Sequence, residues 1–283
     1  MTDATPPNAA QIAYWNDIAP ATWTAYQVQM DAMFEPLTRI ALDAAAPSPG
    51  ETAIDIGCGC GGTILALADR VGPTGRVLGL DVSHPMAALA RERTAAQGLT
   101  NAEISIGDAA THAFTPVQAD LLFSRFGVMF FDDPPGAFAN LRSAMRSTGR
   151  MVFACWRPLA DNAWFNLPLC ATRDLLPPQP PADPTAPGPF AFADPDRVRG
   201  ILSAAGWRDV DLRRADVPIR PGNLAETVGF SLRVGPLAAI LREVNDEALR
   251  ARVEAALTEA LRPHDGPNGV TLQGSIWIVS ARP

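Results

Sequence analysis

Glu51-Thr-Ala-Ile-Asp-Ile-Gly-Cys-Gly-Cys-Gly-Gly62 decides the fold. Thr52 to Ile56 are β-branched or apolar around a single carboxylate, Asp55, and read as a short buried strand. Glycines follow at 57, 59, 61 and 62, where a chain can take positive φ and let another group approach the backbone. Thr63-Ile-Leu-Ala-Leu-Ala-Asp69 then suits a packed helix. Strand, glycine turn and helix open a nucleotide-binding α/β unit, in which the helix N-terminus offers free N–H groups and partial positive charge. Gly57, Gly59 and Gly62 satisfy the dinucleotide spacing G-x-G-x-x-G, a weak signal on its own. Asp55 changes the balance, because a carboxylate there repels a pyrophosphate and suits an ammonium group.

The next two strands repeat the pattern. Arg76-Val-Leu-Gly-Leu-Asp81 ends in a carboxylate about 20 residues past the glycines, where a ribose-binding acid is expected. Asp81 could accept from both ribose hydroxyls, or cap the helix that follows Ser83. Ala102-Glu-Ile-Ser-Ile-Gly107 alternates as a third strand and runs into Asp108-Ala109. Asp55, Asp81 and Asp108 thus end three successive strands, and an open parallel sheet binds ligands beyond its carboxyl edge.

Asp55-Ile-Gly-Cys-Gly-Cys-Gly61 resembles motif I of the class I S-adenosylmethionine (SAM) methyltransferases, whose ligand carries an amino-acid end and no phosphate. Asp81-Val-Ser-His-Pro-Met86 is similar to the D-x-S-x-x-M segment of the ubiquinone/menaquinone-type group (methyltransferase domain 11/25-like), and Gly107-Asp-Ala109 resembles its adenine-reading motif. The resemblance spans about Gln11 to Ser280. It implies a Rossmann-like three-layer sandwich, with a mostly parallel seven-stranded sheet whose antiparallel last strand slots between the two before it, plus helical caps. It implies SAM as cofactor and S-adenosylhomocysteine as product. It assigns cofactor contacts to Asp55, Gly57, Gly59, Gly61, Asp81, Val82, Met86, Asp108, Ala109 and Ser124. Tyr14 and Trp15 are candidates for an aromatic lid over that site. A methionine like Met86 at a helix start is otherwise a core filler.

Ala119-Asp-Leu-Leu-Phe-Ser124 is a fourth strand, and the resemblance puts Ser124, Arg125 and Phe126 beside the reactive methyl group. Arg125 could hold a substrate carboxylate or phenolate, or pair with a nearby acid. Ala137–Met145 reads as a helix, Ser147-Thr-Gly149 as a turn and Arg150–Trp156 as the fifth strand. Trp156, Asn162 and Trp164 lie just past that strand, placed either to line an acceptor site or to clamp the following segment to the core. Leu175–Pro195 is proline-rich and reads as an extended surface loop. A helix from Asp194 to Ala205 and a strand from Trp207 to Arg213 follow. Asn223–Leu261 reads as a helical cap broken near Gly235-Pro236, with apolar faces suited to a pocket or a homodimer, and Gly269–Ser280 is the last strand.

Residues 11–46 read as helix in two pieces, broken near Pro20 and Pro36, whose aromatics either pack the core or cover the glycine loop. The domain expectation is a lid segment over 1–46 and a methyltransferase domain over 47–283, with insertions at about 157–195 and 223–262. A net charge of −7 and a pI near 5.0 argue against nucleic-acid or anionic-membrane partners. The polar start, Met1–Ala10, lacks the features of a secretory signal, so the expected location is cytoplasmic. The four cysteines and three histidines form no metal spacing. The expected reaction is in-line methyl transfer to a small organic acceptor, with no catalytic base identifiable. The alternatives are an NAD(P)-dependent oxidoreductase, which leaves Asp55 and Asp108 unexplained, and a SAM-binding protein without turnover.

Overall fold

A computed structural model describes residues 8–114, 118–180, 183–244 and 246–283. Most of the polar start, Met1–Ala10, and two residues of the proline-rich loop lie outside them. The chain begins with α1 (Ala9–Ala13), a π-helical turn (Tyr14–Ile18), α2 (Pro20–Ala25) and α3 (Gln27–Ala45). Pro20 starts a helix, as a residue without an N–H can. Pro36 does not break α3, contrary to expectation. Met30, Met33, Phe34, Leu37, Ala41 and Leu42 recur at helical spacing and are all buried, so tertiary packing outweighs the one lost hydrogen bond.

The glycine stretch delivers β1 (Thr52–Ile56) into α4 (Gly62–Val71). Then follow β2 (Arg76–Asp81), α5 (His84–Ala96), β3 (Ala102–Ile106), β4 (Ala119–Arg125) and α6 (Pro134–Ser143). The rest comprises β5 (Met145–Trp156), α7 (Ala163–Thr172), α8 (Pro195–Ala204), β6 (Arg208–Gly222), α9 (Leu224–Ser231), α10 (Pro236–Arg242), α11 (Glu247–Leu261), β7 (Asp265–Gly266) and β8 (Gly269–Arg282).

The strand order is β3-β2-β1-β4-β5-β8-β6. Strands β1 to β5 pair in parallel, and β8 runs antiparallel between β5 and β6. This is the expected seven-strand path, with the two-residue β7 added as a hairpin against β8. Strand order reverses beside β1, which has β2 on one side and β4 on the other, so the crevice opens at the carboxyl ends of β1 and β4.

Several boundaries differ from expectation. Helix α6 starts at Pro134 on an Asp133 cap and stops before Met145, which already pairs with Ala119. Ser147-Thr-Gly149 is a bulge within β5 rather than a turn before it. Helix α7 was unforeseen, because Pro168 lies inside it. The end of the proline-rich loop is not a surface segment: Phe192 is fully buried against Phe138 and Phe153. Helix α3 joins the main core and also lends Gln27, Met30, Asp31 and Phe34 to the cavity wall, while the segment before it lies over the cavity.

Candidate active site

A cavity of about 490 Å³ opens at the strand-order reversal. Its wall combines the glycine loop, the ends of β2 and β4, the helical segment before α3, and the cap at Arg233–Arg242.

The glycine loop is shaped for close approach. Gly57, Gly59 and Gly61 all have positive φ. A Cβ on Gly57 would lie 2.6 Å from the Gly127 Cα, so the loops after β1 and β4 touch backbone to backbone. Ser124 fastens the same junction. Its Oγ donates to Ile56 O (2.7 Å) and accepts from Gly127 N (3.1 Å). Fully buried, Ser124 is absent from the cavity wall, and so is Gly61, which packs on Ala90 at the start of α4.

The three strand-end carboxylates have different surroundings. Asp55 is fully buried behind Thr63, whose hydroxyl donates to Oδ2, and its Oδ1 has no partner among the described residues. It does not line the cavity; Thr63 does. Burial raises its carboxyl to about 7, against the opposing pull of the Thr63 hydroxyl and the Arg125 charge. Asp81 does line the cavity. It accepts N–H groups from Gly59 (2.7 Å) and Ser83 (2.8 Å), and each oxygen keeps a lone pair for a further donor. Burial raises its carboxyl too, and those N–H groups oppose the rise. Capping of α5 falls to Ser83, which accepts from Met86 N. Asp108 faces the cavity beside Ala109, Val82 and Met86.

Two asparagines missed from the sequence tie the N-terminal segment to this edge of the sheet, Asn8 through Asp108 and Asn16 through the backbone after β2. Asn8 Nδ2 donates to both Asp108 oxygens at 2.9 Å, while its backbone N–H and Oδ1 pair reciprocally with Asp132 at 2.7 Å. Asn16 donates to Val82 O and accepts from His84 N, both at 3.0 Å. Between them stand Tyr14 and Trp15 on the wall. Trp15 meets Trp23 and Phe130 edge-on, with ring centres 5.6 and 5.0 Å apart. Contacts this far apart in sequence leave no local pattern; only the aromatic density was visible.

Past the glycine loop the cavity becomes an aromatic chamber. Phe126 sits at a positive φ of 68°, an uncommon conformation for a bulky residue, and stacks on Trp156 at 4.2 Å and 8°. Trp164, Phe34, Phe165 and Phe190 complete the lining. Arg125 enters the same space. Its guanidinium lies 5.4 Å from the Phe34 ring centre, and Nη1 donates to Thr38 Oγ1 at 2.7 Å. Burial lowers its pKa, opposed by the charges of Asp31 and Asp55. No carboxylate pairs with it directly among the described residues; Asp31 is paired with Arg93 at 2.6 Å.

Asn162 is not part of the chamber. Its Nδ2 donates to Arg157 O and Pro158 O, and its Oδ1 accepts from Ser275 N, so the amide is consumed clamping α7 to β8. Among the described residues no cluster of His, Cys, Asp or Glu suits a metal ion, and no single helix is long and apolar enough to cross a membrane.

A parallel sheet reversing beside a glycine loop, with acids at the ends of β1, β2 and β3, is the Rossmann-like arrangement of the methyltransferase fold. Residues 53–149 match the sequence model of the methyltransferase domain, and this match, with the curated relatives, supports a class I SAM-dependent methyltransferase. Nocamycin O-methyltransferase of Saccharothrix syringae is 29% identical over 258 residues, covering 88% of this chain and 91% of that one. Aklanonic acid methyltransferase of Streptomyces sp. (strain C5) is 34% identical over 42% of this chain, which spans 54% of that relative. Phosphoethanolamine N-methyltransferase 2 of Haemonchus contortus, solved with S-adenosyl-L-methionine, shares the fold with a TM-score of 0.58. It is 15% identical, over 96% of this chain and 59% of that one. The oxidoreductase alternative is set aside by the family match.

Proposed function

We propose that this enzyme transfers a methyl group from SAM to an oxygen of a small, largely apolar organic acceptor. The observation that carries this reading is the aromatic chamber, continuous with the glycine-loop cleft and holding one guanidinium. The relatives named for O-methyl transfer and for an organic acid support an oxygen nucleophile.

The residues fit the cofactor. Asp81 would accept from the ribose hydroxyls with its free lone pairs. Asp108, Ala109, Val82 and Met86 would border the adenine. Gly57, Gly59 and the N-terminus of α4 would face the amino-acid end, with Asp55 acting through Thr63. The cofactor supplies an activated methyl group on a sulfonium leaving group. The protein's share is alignment and exclusion of water, for which Tyr14, Trp15 and the rest of the segment before α3 would serve as a lid, pinned by Asn8 and Asn16. The acidic surface, with pI near 5.0, favours a small-molecule partner over nucleic acid. A cytoplasmic location and a homodimer through the apolar cap belong to the same proposal.

The test is incubation with methyl-labelled SAM and a library of aromatic and polyketide-like hydroxy and carboxy compounds. The expected product is a compound heavier by one methylene unit, formed with one equivalent of S-adenosylhomocysteine. Transfer only to amines or thiols would overturn the oxygen assignment.

A further inference from the structure

The aromatic chamber holds two side chains with donors left unused. Trp164 is 6% exposed and lines the chamber, yet its indole Nε1–H has no partner among the described residues. Arg125 has five N–H bonds, and Thr38 is its single hydrogen-bond partner among those residues. Unpartnered buried donors are costly, and a ligand that accepts from them relieves that cost. The cavity's other two arginines, Arg233 and Arg242, are exposed at the rim, and Arg233 is engaged by Gly229 O.

The carboxylates on the wall already carry partners. Asp31 is held by Arg93 and Gln27, Asp81 by two backbone N–H groups, and Asp108 by Asn8 and Ala110. The Cys58 and Cys60 thiols are pushed up by burial, Cys60 to about 12. Tyr14 has the Arg242 guanidinium over its ring. Among the described residues no histidine or glutamate lines the cavity.

We infer that the acceptor is a planar oxygen acid that binds already ionised, its anionic oxygen held by Arg125 and Trp164 and its carbon frame stacked among Phe126, Trp156 and Phe165. This inference rests on the oxygen-acceptor reading above. The anionic oxygen's lone pair forms the new O–CH3 bond as the S–CH3 bond breaks and its electron pair stays on sulfur. The negative and positive charges cancel, and no proton has to move. A charge-assisted anchor at Arg125 is an orienting device with directional donors.

The test compares 2-naphthoate with its neutral analogue 2-naphthamide, binding each to wild type saturated with S-adenosylhomocysteine and following tryptophan fluorescence. Wild type should bind the acid about tenfold or more tighter than the amide. Arg125→Gln should lose that preference while keeping its affinity for S-adenosylhomocysteine, and Trp164→Phe should weaken the acid alone. Equal binding of acid and amide by wild type, or of neither, overturns the inference without needing a variant. A preserved preference in Arg125→Gln overturns it as well. So does loss of S-adenosylhomocysteine affinity in that variant with the acid preference intact, which would assign the guanidinium to the cofactor's own carboxylate. Failure of wild type to bind S-adenosylhomocysteine would instead strike the methyltransferase reading itself.

Discussion

Asp55 is a carboxyl buried at the end of the first strand. Its folded-state value near 7 lies above the ordinary 3.8, so the folded protein binds a proton there more tightly than the unfolded chain. The resulting stability is fully present below about pH 4 and is lost as pH rises through about 7. Replacing Asp55 by Asn keeps the shape and removes the titration. The melting temperature of Asp55→Asn relative to wild type should therefore rise by several degrees between pH 5 and pH 8; a constant difference across that range would contradict the assignment. Strand-end acids were legible because three of them end three consecutive strands. Which way each side chain turns was not. Asp55 and Ser124 face inward and Asn162 is spent on backbone groups, because burial and long-range partners decide orientation, and neither leaves a local signature.

At the scale of elements, the aromatic-rich N-terminal region divides into two functions that sequence alone had merged. Leu37 in α3 is fully buried in the main core, so Leu37→Ala should cost about 2–5 kcal/mol in denaturant unfolding and leave cofactor affinity per folded molecule unchanged. Trp15 stands on the cavity wall and is only partly buried. Trp15→Ala should cost far less stability and weaken S-adenosylhomocysteine binding; calorimetric titration of both variants checks the division. Hydrophobic spacing shows that helices exist here, and proline reads as a break. Pro20 does start a helix, while Pro36 and Pro168 sit inside helices whose neighbours are buried deeply enough to tolerate a missing N–H. The caps of α6 and α8 are the aspartates of Asp133-Pro134 and Asp194-Pro195, the turn chemistry that sequence reading handles best.

For the whole molecule, the order of strands brings the glycine loop, Asp81 and Asp108 to one edge of the sheet, and the proline-rich loop and helical cap close the far side of the cavity. Strand order and the antiparallel last strand were legible only through the family resemblance, because pairing partners such as β5 and β8 are more than a hundred residues apart. On this architecture the cavity should bind SAM and its product. Titration of wild type with S-adenosylhomocysteine, and separately with NAD, under thermal unfolding tests it most directly. At 100 times its dissociation constant, S-adenosylhomocysteine should add about 2.7 kcal/mol, raising the melting temperature by a few degrees, and NAD should add nothing. Stabilisation by NAD and none by S-adenosylhomocysteine would make the cavity a dinucleotide site instead.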